Sequence, residues 1–228
     1  MTLKELATEE LRRSLSTQDF VISVLRTAIL TSVFAPGATL RQADLAEQLG
    51  VSHIPVREAI RSLASQGLVT LYPHRGAVVS RLSPEEAEEI FAIRLFLESG
   101  ALKTALPNMT PRAIFEAEHV LDATDMEKNP TVWSDLNWRF HSLLYAPSGF
   151  PRLVSMIGEM HANVYRYLRL YIGDLNYQPD SQREHRELLD ACRERATERA
   201  LAILETHITN AKDHLVAYLR EQTTGAGN

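Results

Sequence analysis

The sequence predicts a mainly α-helical protein, with an N-terminal winged helix-turn-helix followed by an antiparallel six-helix bundle. Three observations carry that prediction. The stretch from Ala43 to Val69 holds two amphipathic helices separated by Gly50. Two short β-branched or aromatic runs then flank a Pro-His-Arg-Gly turn, the pattern of a hairpin. Beyond Leu82-Ser83-Pro84 the chain is helical in segments opened by Pro, Ser or Thr and closed by Gly, Asn or Pro. The expected domains are 1–82 for the winged helix and 83–222 for a helical domain. A small, polar and disordered tail covers 223–228.

Taken in order, Leu3 to Ser16 is charged and loosely periodic, a frayed lead-in or short helix. Gln18 to Ser32 is a better helix, carrying Phe20, Val24, Ile29 and Leu30 and closed by Pro36-Gly37. Asp44 to Leu49 follows, stopped by Gly50. Ser52 then stands where its side chain can cap the next helix, and Pro55 sits in the first turn, where a missing N–H is harmless. Val56, Ile60, Leu63 and Ala64 recur at helical spacing, so one face is buried and Ser52, His53, Arg57 and Arg61 point elsewhere. Gly67 ends that helix. Leu68–Tyr72 and Ala77–Arg81 form the wing around His74, Arg75 and Gly76. The bundle helices are expected at Pro84–Leu106, Pro111–Glu127, Thr131–Ala146, Pro151–Ile172, Pro179–Glu194 and Thr197–Glu221.

The 228 residues carry a net charge of -5, but unevenly. Residues 1–80 hold eight Lys/Arg against seven Asp/Glu, and residues 81–228 hold sixteen against twenty-two. The acid therefore lies outside the DNA-reading half, whose affinity must come from a few well-aimed arginines doubled by dimerisation. No apolar run approaches the ~18 residues of a membrane span, and no secretory leader opens the chain, so a cytoplasmic protein with no membrane contact is expected. The single cysteine, Cys192, excludes an intrachain disulfide and reads as a packed thiol.

The histidines of the second half suggest a site. Asn137 and His141 are i and i+4, on one face of one helix. His185 and His207 are each eleven residues from the break near Ala196. At helical rise both stand about 16 Å up one antiparallel hairpin, side by side. Two histidines at one height plus an Asn-x-x-x-His pair can hold one divalent transition metal, or can be singly hydrogen-bonded or exposed side chains. Arg94 interrupts the apolar stripe of Ile90, Leu97 and Ala101, either as an ion-pair partner of Glu98 at i+4 or as a group facing a ligand. His161, Asn163 and Tyr165 lie on the helix after Pro151 and are candidate lining groups.

The string GVSHIPVREAIRSLASQGLV, preceded by PGATLRQADLAEQLG and followed by RGAVV, closely resembles the winged-helix domain of the GntR family of bacterial transcription regulators. The segments IRLFLESGAL, LNWRFHSLLY, REHRELLDAC and ILETHI resemble, in order, the metal-containing FadR-type effector domain. The resemblance implies binding to double-stranded operator DNA, and reading two half-sites calls for a homodimer. The resemblance also implies major-groove contacts from Ser52, His53, Ile54 and Arg57, with Arg61 beside them, and minor-groove contacts from His74, Arg75 and Gly76. Metal ligands are implied at Asn137, His141, His185 and His207, with zinc, nickel or manganese as the ion. Arg94 is implied in a pocket for a small carboxylate effector. The chain departs from relatives at His53, where many have Arg, at Ala43, where some have a basic residue, and at Asn137, where many have Asp.

The expected function is a non-enzymatic transcription regulator whose operator affinity responds to a small organic acid. Two alternatives stand beside it. One is a metal-dependent helical hydrolase with an appended DNA-binding domain, against which no Asp or Glu falls level with the histidines in a clear role. The other is a regulator that senses the metal itself.

Overall fold

A computed structural model describes residues 2–10, 16–73, 76–171 and 178–225. The chain divides into two compact units, Met1–Arg81 and Leu82–Asn228.

The first unit is built on α2 (Thr17–Leu30), whose Phe20, Val21, Val24, Leu25, Ala28 and Ile29 are all buried. Ser16 caps it by accepting a hydrogen bond from the Asp19 backbone N–H. On α1 (Leu3–Glu10), Leu3 and Leu6 are buried in the same core. Next comes α3 (Gln42–Leu49), which ends at Gly50 in the left-handed region with φ 66°, a conformation that favours glycine. It leads into α4 (His53–Ser65), which buries Val56, Ala59, Ile60 and Leu63. Ser52 occupies the N-cap position in extended conformation, but its side chain makes no capping hydrogen bond, contrary to expectation. Its hydroxyl is thereby left to another partner.

The sheet has three strands, not the two of a hairpin. β2 (Val69–Tyr72) and β3 (Gly76–Val79) pair antiparallel, Val69 opposite Val79 and Tyr72 opposite Gly76. β1 (Thr39–Leu40) adds to the other edge of β3, with Thr39 opposite Val78. Two residues carry no readable periodicity, so only pairing defines that strand.

The second unit contains α5 (Pro84–Ala105), α6 (Pro111–Met126), α7 (Pro130–Tyr145), α8 (Pro151–Tyr171), α9 (Gln178–Arg193) and α10 (Thr197–Gly225), with 3-10 turns at Leu106–Asn108 and Ala146–Ser148. Ser83 and Thr110 cap α5 and α6 by accepting from the backbone N–H groups of Glu86 and Ala113. Each has proline in the first turn. α10 packs on α5 and α9, α6 on α7 and α9, and α8 on α5 and α7. The core they enclose includes Phe91, Leu102, Trp133, Phe140, Leu144, Ile157, Leu188, Leu204 and Leu215. α10 runs on to Gly225, over residues where the sequence predicts a disordered tail. Among the described residues no helix is long and apolar enough to cross a membrane.

Candidate metal and effector site, and candidate DNA-reading surface

The second unit buries an unusual number of polar groups at one level: Arg94, Glu98, Asn137, His141, His161, His185 and His207 are each no more than 2% exposed. They come from α5, α7, α8, α9 and α10. One ring nitrogen from each of His141, His185 and His207 lies within 4.8 Å of the other two.

Their hydrogen bonds set the orientation of the rings. His185 Nδ1 donates to Gln182 Oε1 at 2.8 Å, and His207 Nδ1 donates to Glu184 Oε2 at 2.8 Å. Tyr145 donates its hydroxyl proton to Glu98 Oε2 at 2.6 Å, which leaves its oxygen to accept from His141 Nδ1 at 3.3 Å. An imidazole that is neutral and donates from Nδ1 presents a lone pair at Nε2.

The residues fit a metal ion. His185 Nε2 and His207 Nε2 stand 3.3 Å apart. Two imidazoles on one tetrahedral ion with ~2.0–2.1 Å bonds place their nitrogens about 3.3 Å apart. The buried Nε2 of His141 has no hydrogen-bond partner among the described residues. Burial holds His141 and His185 well below the usual histidine range, with the neighbouring His207 adding to it. Both are therefore neutral at neutral pH, the form that ligates.

Glu184 loses some stabilisation of its charge to burial. Hydrogen bonds from His207 and Asn210 and the charge of Arg183 outweigh that, so its carboxyl ionises below the usual range. Burial and then the Glu98 carboxylate push the Tyr145 hydroxyl well above its ordinary value.

Arg94 Nε donates to Glu98 Oε1 at 2.8 Å, the ion pair that its spacing allowed. Its guanidinium carbon lies 5.0 Å from the Phe91 ring centre. The Arg94 charge adds to burial in depressing His141 and His161. A buried chain of hydrogen bonds thus joins Arg94 to His141 through Glu98 and Tyr145. His161 lies against Asn137, its Nε2 3.4 Å from the amide nitrogen. Asn163 is half-buried on the same helix, and the Tyr165 side chain lies outside the described residues.

Sequence reasoning missed Tyr145, Gln182, Glu184 and Asn210. Tyr145 at i+4 from His141 and Gln182 at i−3 from His185 share a face with their histidines and were findable by spacing. Glu184 reaches His207 from another helix, a pairing that only the packing of α9 on α10 produces. It also corrects the expectation that no carboxylate lies level with the histidines.

On α4, Ser52, His53, Ile54, Arg57 and Arg61 all face solvent, with Ile54 64% exposed. Arg57 and Arg61 flank Glu58, at 3.4 and 3.2 Å. Gly76 opens β3 with φ 78°, whereas His74 and Arg75 lie outside the described residues.

The family model of the bacterial regulatory proteins of the gntR family matches residues 17–79, and that of the FCD domain matches residues 89–210. The chain is 28% identical over 192 residues to an uncharacterized HTH-type transcriptional regulator in an unstable DNA locus of Streptomyces ambofaciens, covering 84% of this chain and 81% of that one. It is 33% identical over 159 residues to the HTH-type transcriptional regulator McbR of Escherichia coli, covering 67% and 69%. The solved McbR/YncC structure superposes with a TM-score of 0.74 over 92% of this chain and 100% of that one, at 25% identity. A GntR family member from Pseudomonas syringae matches with a TM-score of 0.60 and 29% identity over 98% and 96%. A winged helix with an exposed arginine-bearing helix, joined to a helical domain of the FCD type, makes this chain a member of the GntR family of bacterial regulatory proteins, a DNA-binding transcription regulator.

Proposed function

We propose that a small organic acid, bound at a metal site in the helical unit, sets the affinity of this regulator for double-stranded operator DNA. The observation that carries the proposal is the buried hydrogen-bonded chain from Arg94 to His141, which puts a guanidinium and a metal-binding histidine cluster in one connected network.

Asn137, His141, His185 and His207 would hold a divalent transition metal, with imidazole donors that suit zinc, nickel or manganese. When bound, the ion supplies positive charge and open coordination positions that favour a carboxylate. Asn137 in place of a carboxylate leaves that charge less compensated by protein, which favours an anionic ligand. Arg94 can clamp the same carboxylate through its planar fork of donors. His161, Asn163 and Tyr165 on α8 are the proposed lining of the pocket. An acid that draws Arg94 from Glu98 alters the hydrogen bond of Tyr145, and so the support of His141. α5, which carries Arg94 and Glu98, directly follows the DNA-reading unit in the chain. The acid can act only through different affinities for the two arrangements.

DNA contact is assigned to Ser52, His53, Ile54, Arg57 and Arg61 of α4 and to His74, Arg75 and Gly76 of the wing. A homodimer is proposed because two half-sites need two winged helices, and exposed Ile93 and Phe96 on α5 support it. Catalysis is not proposed. The two carboxylates beside the cluster are committed, Glu184 to His207 and Asn210, and Glu98 to Arg94 and Tyr145.

A thermal-shift screen of small carboxylates on metal-loaded protein tests this reading. An acid at 100-fold over its Kd stabilises the protein by about 2.7 kcal/mol. That shift is expected to vanish in Arg94→Lys, which keeps the buried charge opposite Glu98 but loses the fork, and the same acid is expected to change operator affinity in a gel shift. Equal stabilisation of both proteins would remove Arg94 from the site. An operator response to chelator alone, with no acid active, would make the metal the signal.

A further inference from the structure

The side chain proposed to join the histidines at position 137 is an amide and not a carboxylate, which has a geometric consequence. A carboxylate offers a cation two equivalent oxygens, so rotation by half a turn changes nothing. An amide has one oxygen and one nitrogen, and only the oxygen ligates. A ligand asparagine must therefore be held with the correct end inward.

The group placed to hold it is His161. Its Nε2 lies 3.4 Å from Asn137 Nδ2, and both residues are buried. A neutral imidazole carrying its proton on Nδ1 accepts at Nε2 from the amide N–H and gives no such bond to an amide oxygen. In that tautomer the nitrogen of Asn137 is held toward α8, which leaves the oxygen as the end that could turn to the histidine cluster. The ring of His161 lies 5.9 Å from that of His141, centre to centre, so it borders the cluster without belonging to the triad.

The approach of α8 to α7 that makes this contact is itself built into the sequence. Gly158, one turn before His161, lies against the Trp138 ring so closely that an added Cβ would be 2.8 Å from Trp138 Cζ2. Trp138 in turn packs against His161, with ring centres 5.2 Å apart.

We infer that His161 is a positioning residue for the metal site, fixing the orientation of the Asn137 amide so that its oxygen faces the ion. The inference rests on the metal-site reading above and adds to it a role for a residue outside the ligand set.

The test is a competitive zinc titration of the full-length metal-stripped protein against a fluorescent chelator. It compares wild type, His161→Leu, Asn137→Asp, the double variant, and His185→Ala. Groups that orient ligands typically change affinity about 10–100-fold. His161→Leu is expected to weaken zinc binding roughly tenfold or more on that scale. In the Asn137→Asp background, where no wrong end exists, the same change should have little effect. Rescue by Asn137→Asp separates positioning from a general loss of packing, which would weaken both backgrounds alike. An equal loss in both, or no loss in wild type, overturns the inference. If wild type and His185→Ala bind zinc equally poorly, it is the metal site itself that fails.

Discussion

Arg57 is the residue on which DNA reading is expected to turn. It stands on the exposed side of α4, and its guanidinium can be bidentate to guanine O6 and N7. It shares Glu58 with Arg61, at 3.4 and 3.2 Å. Arg57→Ala should weaken operator binding by about 1–3 kcal/mol per half-site in a gel-shift titration. An unchanged affinity would move the reading role elsewhere on α4. Ile54 is exposed beside it and suits a thymine methyl, an apolar contact that surface burial alone would not retain. At the other end of the chain, Cys192 has its thiol pushed up to about 12 by burial. It is therefore inert to oxidation at neutral pH, consistent with a packing role.

The helices of the second unit are placed by contacts that leave little room. Gly158 is where α8 meets α7, and an alanine there must displace the Trp138 ring. Alanine gains about 1 kcal/mol over glycine as a helix former, whereas overpacking loses about 1–3 kcal/mol. Gly158→Ala is thus expected to lower the urea midpoint slightly and to weaken zinc binding through His161. A raised midpoint with unchanged zinc affinity would mean that Trp138 moves aside freely. The start of α5 shows the opposite regime. Ser83 as cap, Pro84 in the first turn and Glu85 and Glu86 near the helix dipole all agree, and the element was legible from those residues alone.

For the molecule as a whole, the two units have separate hydrophobic cores, one around α2 and one enclosed by α5 to α10. Calorimetry should show two unfolding transitions. On the proposed metal site, chelation should lower only the transition of the helical unit, because an ion held by the histidine cluster would contribute to the folding energy of that unit alone. A single transition that moves as one on chelation would show that the units unfold together.

Much of this protein is local, and local features can be read from sequence. Gly50, the periodic apolar positions of α4, and the Ser-Pro and Thr-Pro helix starts determine where elements begin and end, because capping and periodicity act over a few residues. Equal spacing from the break near Ala196 was enough to level His185 with His207, since a helix converts residue count into height. The three-residue i, i+4, i+8 row of Asn137, His141 and Tyr145 follows from the same rule. What only the tertiary structure decided is what those rows meet. Glu184 against His207, Glu98 against Tyr145, His161 against Asn137, and β1 against β3 all join residues from different elements. Such pairs depend on which faces turn toward each other and how closely the backbones approach, as Gly158 against Trp138 shows for His161 and Asn137, rather than on any one segment's sequence.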